Sequence, residues 1–352
     1  MKFIRDAWYC AGFAGDILVD TLKSITILGE PIALYRKADG SAAALADRCP
    51  HRFAPLSLGK VCGGEVQCGY HGLRFDAQGQ CTHNPHGDGS IPKSAHVRAY
   101  PLHEQYGALW IWMGEPALAD AARLPDFSAI EERAGWSHIQ GYLHVRAHYQ
   151  LMIDNLLDLS HVPFLHPFLG GNMAPPPEFK ADIRMEQQGN SVLAISEFSS
   201  MPNTPLYQML WEGEAPPALT DMRANIRWDA PSTLMLDTGA TGVGRPRAEG
   251  PSAPIAHWLT PETETTTHYF WAAARDRFVG NAEVSAQITA GIDAAFRNED
   301  EPMIEACQRN MGTSDLMSLK PVLLQTDGPA VRARRIIHIQ TETQENSNAR
   351  SN

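Results

Sequence analysis

Two short pairs of metal-binding side chains constrain this chain more than any other feature of its sequence. Cys49 and His51 form a Cys-x-His pair, and Cys68 and His71 form a Cys-x2-His pair further along. Two thiolates and two imidazoles can hold one zinc ion, or a [2Fe–2S] cluster with the cysteines on one iron and the histidines on the other. Zinc-finger spacing usually groups like ligands together, whereas each loop here supplies one of each kind. The spacing therefore favours the cluster.

The sequence around these pairs predicts a small β domain. Short apolar runs alternate with turn signals before Cys49, for example residues 32–35 followed by the turn 37–40 (KADG). Such a pattern is typical of an antiparallel meander, with the ligand loops at the tips of hairpins. The run 108–113 (ALWIWM) predicts a buried strand, and we place the end of the domain at residue 118.

A second group of candidate ligands lies near residue 160. Apolar residues at helical spacing over residues 150–161 predict a helix that weakens at residues 162–163 and ends around Pro167, and on this helix Asp158 and His161 share a face. His166 reaches the same point if the chain bends at Pro163. Two imidazoles and a distant carboxylate form the facial triad of non-haem iron oxygenases, although two histidines packed at a helix end are also common. Next to the first motif, the iron interpretation is the stronger one.

The third ligand of such a triad has to come from a later acidic residue. Residues 284–311 have helical periodicity, and Glu299, Asp300 and Glu301 lie together within this stretch. The spacing alone leaves the choice among these three carboxylates open.

Length and composition exclude several classes of protein. The 352 residues suffice for two domains, and a net charge of −11 without a long basic run argues against nucleic-acid or anionic-membrane partners. The chain has neither a long apolar run nor the apolar core of a signal peptide, so we expect a cytoplasmic protein that does not span a membrane. The six cysteines show no disulfide-framework spacing, which fits a reducing compartment.

Residues 47–84 resemble the Rieske domain of ring-hydroxylating and O-demethylating oxygenases, and the resemblance continues from about residue 3 to residue 340. It is strongest to the aromatic O-demethylase branch, which includes dicamba and vanillate O-demethylases and toluenesulfonate methyl-monooxygenases. The resemblance implies an α+β fold. An N-terminal all-β Rieske [2Fe–2S] domain (1–118) precedes a helix-grip-like catalytic domain (119–340) with an antiparallel sheet covered by helices. We expect the polar residues 341–352 to form a disordered tail.

The resemblance also implies roles for single residues. The implied ligands of the Rieske cluster are Cys49, His51, Cys68 and His71, and those of a mononuclear Fe(II) are His161, His166 and Asp300. Asp158 would link His161 to His71 of a neighbouring chain in a homotrimer, and Asn155 is placed with Asp158 among the catalytic residues. His257 would contact the substrate. Apart from the resemblance, His83 and His86 lie in a turn-rich loop and are expected to have a structural or surface role, because both ends of the cluster are already filled. Gly69 stands where relatives usually have proline, and we expect it to loosen the second ligand loop.

The implied activity is that of a Rieske non-haem iron monooxygenase. Such an oxygenase component uses O2 and electrons from an NADH-dependent reductase, a ferredoxin or both. The expected reaction hydroxylates the methyl group of a methoxylated aromatic acid and releases a phenol and formaldehyde. Alternatives are methyl hydroxylation of an arylsulfonate or other aryl methyl substrate, ring cis-dihydroxylation, and a Rieske electron carrier without catalysis. Dicamba relatives have a tryptophan near residues 290–292 (AGI here), which argues against dicamba as the substrate.

Overall fold

The structure, a computed structural model, describes residues 3–166, 176–213 and 215–351. Its contacts divide the chain into two compact units. The N-terminal unit comprises Arg5–Leu124 with Thr260–Thr263, and the C-terminal unit comprises mainly Pro125–Leu259 and the residues from Glu264 onward. The edge of the N-terminal unit therefore lies at Leu124, whereas the sequence places it at residue 118.

Two contacts explain why the N-terminal unit extends beyond residue 118. The indole Nε1–H of Trp8 donates to the carbonyl of Asp120 at 2.8 Å. The guanidinium of Arg123 donates to the carbonyl of Asp6 at 2.9 Å. These long-range bonds fasten the short 3₁₀ turns after residue 115 to the first strand, and the sequence pattern gives no signal of them.

The N-terminal unit is built from antiparallel strands, as predicted. Its sheets have the strand orders β1-β10-β9, β2-β3-β4 and β5-β6-β7-β8. The strands are β1 (Trp8–Phe13), β2 (Leu22–Ile27), β3 (Glu30–Arg36), β4 (Ala42–Ala46), β5 (Lys60–Cys62), β6 (Glu65–Gln67), β7 (Arg74–Phe75), β8 (Cys81–His83), β9 (Leu102–Gln105) and β10 (Ala108–Trp112). The predicted buried strand is β10, every residue of which is buried. Cys49 follows β4 and Cys68 follows β6, so both ligand loops begin at strand ends.

The C-terminal unit contains a seven-stranded antiparallel sheet with the strand order β11-β17-β16-β15-β14-β13-β12. Its strands are β11 (Ser137–Val145), β12 (Lys180–Gln188), β13 (Ser191–Pro202), β14 (Leu219–Asp229), β15 (Thr233–Gly242), β16 (Ile255–Pro261) and β17 (Thr267–Arg275). Its helices are α1 (Tyr149–Leu157), α2 (Val162–Leu165), α3 (Pro205–Met209), α4 (Ala282–Ala294), α5 (Glu301–Met311) and α6 (Gly328–Ser351). This helix-grip-like arrangement agrees with the predicted α+β class.

A buried ion pair fixes α1 in the C-terminal unit. α1 packs against α5, α6 and β14. Arg334 on α6 donates to the carboxylate of Asp154 on α1 at 2.9 and 3.0 Å, and to Oε1 of Gln150 at 2.7 Å. Because buried charges are retained only when paired and hydrogen-bonded, this contact sets the position of α1. Asn155, one residue after Asp154, is thereby held in place.

The helical elements differ from the sequence prediction in three places. The helix predicted over 150–161 ends at Leu157, because Asp158 adopts an extended backbone conformation and caps a separate 3₁₀ turn, Leu159–His161. The helix predicted over 284–311 is interrupted by a π-helical segment, Ala295–Asp300, between α4 and α5. Residues 341–351, predicted to be a disordered tail, continue α6 instead.

The extension of α6 has a local cause. The glutamate and glutamine residues in this stretch are good helix formers, which favours continuation of the helix. Within the described ranges, no helix combines the length and apolarity that crossing a membrane requires.

Candidate metal centres and substrate cavity

Two tight loops in the N-terminal unit present the four predicted cluster ligands. In the first loop, the amide of Phe53 donates to the carbonyl of Cys49, and the amide of Cys49 donates to the carbonyl of Ala54, both at 2.9 Å. Phe53 closes this turn with a φ of 59°, and the guanidinium of Arg48 lies over its ring. The loop is thus a closed backbone ring that holds its ligands in a fixed orientation.

The second loop is closed in the same way. The amide of Gly72 donates to the carbonyl of Cys68 at 3.1 Å, and the amide of Cys68 donates to the carbonyl of Leu73 at 2.8 Å. The φ of Gly72 is 77°, a conformation that glycine adopts readily and other residues rarely do.

The two loops pair their ligands by type. The imidazoles of His51 and His71 lie edge to face with centroids 4.4 Å apart, and His51 is exposed. Cys49 and Cys68 are each only 2% exposed, and burial together with the neighbouring Cys68 thiol raises the pKa of Cys49. The cysteines therefore form a buried pair and the histidines a pair nearer the surface.

This arrangement fits a two-iron cluster better than a single zinc ion. The ligands of a tetrahedral zinc lie about 3.5 Å from one another. In the described part of the chain, the cluster loops contribute no group of three or more ligand atoms that lie within 4.8 Å of one another. Two separated pairs, one of sulfur and one of nitrogen, match the two ends of a Rieske cluster.

Asp47, which the sequence analysis did not single out, anchors the first ligand loop. Its carboxylate is 6% exposed and accepts hydrogen bonds from the amide and the hydroxyl of Ser57, at 2.7 and 2.6 Å. It also accepts a bond from the hydroxyl of Ser24 on β2, at 3.0 Å. The signal available in the sequence was its position two residues before the first ligand, at the end of a strand.

His86 and Gly69 support the second ligand loop. The Nε2 atom of His86 lies 2.8 Å from the carbonyl oxygen of His71, so this side chain holds the loop through its backbone, whereas His83 is an exposed residue of β8. A β-carbon on Gly69 would lie 2.7 Å from the carbonyl oxygen of Leu58. The sequence predicts that glycine loosens this loop, but in the structure it allows two segments of backbone to pack closely.

The second candidate centre lies in the C-terminal unit, where three distant residues converge. Nε2 of His161 lies 3.2 Å from Nε2 of His166, and these atoms lie 3.5 and 3.3 Å from Oδ1 of Asp300. Three atoms at these separations would together be able to hold one metal ion at about 2.1 Å. Two imidazoles and one carboxylate in this facial arrangement are the donor set of non-haem Fe(II) oxygenases.

The orientation of His161 is set by the backbone. Its Nδ1–H donates to the carbonyl oxygen of Asp158 at 2.6 Å, so that Nε2 faces the other ligands. The carboxylate of Asp158 does not make this contact. One of its oxygens accepts from the amide of Ser160 at 2.9 Å, and the other accepts from the hydroxyl of Thr326 at 3.2 Å. Within one chain, His161 is therefore oriented by the carbonyl of Asp158 and not by its carboxylate.

Glu299 orients His166, a role that the sequence analysis missed. The Nδ1–H of His166 donates to the carboxylate of Glu299 at 2.6 Å. Burial lowers the pKa of His166, but hydrogen bonds to Asp300 and Glu299 outweigh this and raise it overall. In a regular α-helix, residues adjacent in sequence point about 100° apart, so a ligand at Asp300 gives no reason to expect Glu299 at the same site. The π-helical segment changes that spacing, and π segments are frequent at functional sites.

Asn155 completes the polar surroundings of the triangle. Its Nδ2–H donates to Oδ1 of Asp300 at 2.9 Å, and this is the oxygen that faces the two histidines. Asp300 is only 4% exposed, so this bond fixes the carboxylate in a buried environment. The structure thus brings the predicted residue Asn155 into direct contact with the candidate ligand Asp300.

A cavity of about 630 Å³ opens beside the triangle. His161, His166, Asp300 and Asn155 lie at its wall, and so does His257 from β16. The rest of the lining is largely apolar and includes Phe198, Met201, Leu206, Ile226, Leu236 and Ile292. Its size lies within the usual range for small-molecule sites, and a flat apolar ligand suits its walls.

His257 is a buried polar group in this apolar wall. It is 1% exposed, and burial lowers its pKa to about 3. Its Nδ1 lies 2.7 Å from the hydroxyl oxygen of Tyr269, while its Nε2 has no hydrogen-bond partner among the described residues. The structure therefore places this predicted substrate contact at the cavity with one unused polar atom.

Comparisons with known proteins agree with both centres. The Rieske [2Fe-2S] domain family matches residues 7–101, and the vanillate O-demethylase oxygenase C-terminal domain family matches residues 145–341. The chain is 36% identical over 343 residues to the oxygenase component of chloroacetanilide N-alkylformylase from Rhizorhabdus wittichii, covering 97% of each. It is 36% identical over 341 residues to the oxygenase component of dicamba O-demethylase from Stenotrophomonas maltophilia, covering 96% of this chain and 97% of that one.

A solved structure shows the same architecture. Dicamba monooxygenase bound to 3,6-dichlorosalicylic acid superposes with a TM-score of 0.90 at 33% sequence identity, and the match covers 98% of this chain and 99% of that one.

Proposed function

This chain belongs to the Rieske non-haem iron oxygenases with a C-terminal domain of the vanillate O-demethylase type, and we propose that it removes the methyl group of an aryl methyl ether. It is the oxygenase component of a multi-component monooxygenase and has two iron cofactors, a Rieske [2Fe–2S] cluster and a mononuclear iron. The observation that carries the proposal is the triangle of His161, His166 and Asp300 at the wall of a largely apolar cavity.

The donor sets in the two units support the assignment of ligands. Cys49, Cys68, His51 and His71 would hold the cluster, and His161, His166 and Asp300 would hold the mononuclear iron. When bound, that iron supplies the activation of dioxygen needed to insert an oxygen atom into a methyl C–H bond. Around it, Asn155 fixes Asp300, and Glu299 fixes His166. The apolar walls exclude water and leave the methoxy group next to the triangle.

The proposed reaction balances as a monooxygenation. An aryl methyl ether, O2, NADH and one proton give the phenol, formaldehyde, NAD⁺ and water. One oxygen atom is inserted into a C–H bond of the methyl group. In the resulting hemiacetal, the bond between that carbon and the aryl ether oxygen breaks, which releases formaldehyde and the phenol. NADH is oxidised by a partner reductase, which delivers electrons directly or through a ferredoxin. Because none of the six cysteines forms a disulfide in the described structure, as is usual in a reducing compartment, we place this reaction in the cytoplasm.

We propose that the working unit is a homotrimer, in which Asp158 links His161 of one chain to His71 of its neighbour. Two observations support this role. The carbonyl of Asp158 already contacts His161, and exposed histidine and aromatic side chains surround the cluster loops, among them His51, Phe53 and Tyr70. Exposed apolar side chains of the C-terminal unit, such as Phe164 and Val322, are about 90% exposed and would be covered by a neighbouring chain.

Product analysis with methoxybenzoates, a matched reductase and NADH tests the proposed reaction. We expect equal amounts of phenol and formaldehyde. Cis-diols as the only products would reject O-demethylation, and benzylic alcohols from methylarenes alone would support methyl hydroxylation instead.

His161→Ala separates the enzyme from a simple electron carrier. We expect it to lose turnover and one iron of about three per chain while its Rieske spectrum is unchanged; full turnover in this variant would contradict the iron site.

A further inference from the structure

The strand β12 forms one edge of the seven-stranded sheet, and all nine of its residues are exposed. It pairs with β13 along its whole length, from Lys180 opposite Ser199 to Gln188 opposite Ser191, without a bulge. Among the described residues, no strand pairs with its other side. A long and regular edge strand presents a row of unpaired backbone N–H and C=O groups, to which another extended chain can bind.

The side chains of β12 alternate between charged and apolar residues, so the charged ones point to one face of the strand and the apolar ones to the other. The charged residues are Lys180, Asp182, Arg184 and Glu186, and the apolar residues between them are Ala181, Ile183 and Met185. The charges alternate in sign along the strand. When the order of these seven residues is reversed, every position therefore meets a residue of opposite charge or another apolar residue.

We propose that β12 pairs antiparallel with β12 of a second copy of this chain, with Ile183 of both copies at the centre. In this register, Lys180 lies opposite Glu186 of the second copy, and Asp182 lies opposite Arg184 of the second copy. The twofold axis repeats both pairs, so four pairs of opposite charge form on one face. Opposite charges at facing positions stabilise a pair of strands, and like charges destabilise it.

The apolar face of β12 gains from the same register. Ile183 is 65% exposed and Met185 is 36% exposed, although both are apolar. Antiparallel pairing about Ile183 places the two Ile183 side chains opposite each other and places Ala181 opposite Met185. The contact therefore covers apolar side chains that the single chain leaves in water, and removal of apolar surface from water favours association.

The charge pattern selects this register against the neighbouring ones. A centre at Asp182 or at Arg184 would place like charges opposite each other. A centre between two residues would place charged side chains opposite apolar ones, because it exchanges the faces of one strand. A centre at Ala181 or Met185 would leave half of the charged residues without an opposite charge in β12. Pairing about Ile183 satisfies all four.

The charges also favour a second copy over an unrelated strand. Charged side chains commonly protect an edge strand, because a strand that pairs with it rarely supplies the matching charges. Arg184 contacts Asp182 and Glu186 along its own strand, so its charge is already paired on one side. A second β12 adds further opposite charges. Such a contact is isologous and closes with two copies, so it would join two of the proposed homotrimers and is separate from the contact within a trimer.

Two single charge reversals test this pairing. Asp182→Arg would place arginine opposite arginine, and Arg184→Asp would place aspartate opposite aspartate. In sedimentation velocity over a range of protein concentrations, we expect the wild type to reach twice the mass of either variant. Self-association should weaken roughly tenfold or more in each variant. Arg245→Asp is the matched control, because Arg245 is an exposed, ion-paired arginine outside β12; this variant should keep the wild-type mass.

Mixing the two variants separates a specific register from a general effect of charge. In an equimolar mixture, the two arginines of one variant face the two aspartates of the other, so the doubled mass should return. The double variant Asp182→Arg/Arg184→Asp should also recover it, because the swapped charges again face opposite ones. Amide hydrogen exchange should slow within β12 in the wild type and in the mixture, but not in either single variant.

Three results would overturn the proposal. The first is a wild-type mass equal to that of the single variants at every concentration, which would leave this edge to a partner of another sequence. The second is self-association that neither variant weakens, and the third is a mixture that does not recover the doubled mass. Because each mass is compared with that of a variant and no turnover is measured, these results hold whether or not the chain is a trimeric O-demethylase.

Discussion

Glu299 and Asp300 are adjacent in the chain, yet they contact opposite sides of the same imidazole. Glu299 accepts from Nδ1 of His166 at 2.6 Å, and Oδ1 of Asp300 lies 3.3 Å from its Nε2. One short stretch of backbone therefore supplies both a candidate ligand and the carboxylate that orients another ligand. Such outer carboxylates fix the ring and raise its basicity as a metal ligand.

Glu299→Gln should weaken metal binding at the triangle. The amide keeps the size of the side chain but removes its charge, and we expect roughly a 10- to 100-fold loss of iron affinity with an unchanged Rieske spectrum. Iron titration of the chelated protein measures this effect. Glu301→Gln is the matched control, because Glu301 makes no contact with His166 in the structure. Similar affinity losses in both variants would contradict the assigned role.

Asp158→Asn should slow electron delivery without emptying either metal site. Asparagine caps a helical turn as well as aspartate does, so the bond to the amide of Ser160 survives and only the charge is lost. We expect two intact centres by iron content and spectrum, and cluster reoxidation at least about tenfold slower in stopped-flow experiments with substrate and O2. Reoxidation at the wild-type rate would rule out a bridging role for this carboxylate.

Gly69→Ala should reduce the content of the Rieske cluster. The added β-carbon would lie 2.7 Å from the carbonyl oxygen of Leu58, so one of two backbone segments has to move. We expect a lower ratio of cluster absorbance to protein, and a lower melting temperature of the N-terminal unit. Gly15→Ala is the control, since a β-carbon there meets nothing within 4 Å. Full cluster occupancy in Gly69→Ala would show that the loop adapts freely.

Gly291→Ala should stabilise the C-terminal unit. Gly291 lies inside α4 at the cavity wall, and a β-carbon there meets no atom within 4 Å. Alanine is the better helix former, so we expect a gain of about 0.5–1 kcal/mol in the free energy of unfolding. Denaturant titration measures it, with Gly250→Ala as a destabilising comparison because its β-carbon would lie 1.8 Å from the backbone carbonyl oxygen of Ala240. Gly291→Phe should fill part of the cavity and reject the larger substrates first.

Acid should destabilise the protein partly through His148. This residue is fully buried, neither ring nitrogen has a partner within the described ranges, and burial lowers its pKa to about 3. The unfolded chain takes up a proton near pH 6.5 and the folded chain does not. The contribution of neutral His148 to the free energy of unfolding is therefore fully present above pH 6.5 and is lost as the pH falls toward 3.

His148→Phe removes that linkage while keeping the aromatic packing against Phe3 and Tyr149. In urea titrations, we expect the wild-type free energy of unfolding to drop by roughly 1–2 kcal/mol more than that of the variant between pH 7.5 and pH 5. Equal drops in the two proteins would mean that other groups dominate the acid sensitivity. A urea midpoint of the variant close to the wild-type value at pH 7.5 serves as the folding control.

Much of the candidate site was predictable because its chemistry requires unusual residues. The pairs Cys49/His51 and Cys68/His71 indicate the cluster by type and spacing alone, and the β domain around them follows from alternating apolar runs. Asp300 was reached only through resemblance, since its neighbours are equally acidic. The structure resolves that choice by placing Asp300 with the histidines and Glu299 behind one of them.

The remaining features depend on local departures from regular helices. Periodicity predicts one helix over 150–161, but Asp158 caps a new turn and so places its carbonyl, rather than its carboxylate, against His161. After the π segment, the buried residues of α5 include Ile304 and Gln308, while Cys307 is exposed. Neither change leaves a signal in a hydrophobic pattern, because each depends on contacts with distant residues.

Because Ala295–Asp300 is π-helical, the number of residues in this segment matters to the candidate metal centre as much as their identities. A continuous α-helix advances by about 100° per residue, so loss of any one residue from Ala295–Asp300 would turn the carboxylate of Asp300 away from the two histidines. A single-codon deletion would therefore misalign the centre even if every ligand were retained. Homologues that share this centre are therefore expected to keep the number of residues in this segment together with Glu299 and Asp300, and to vary at its other positions.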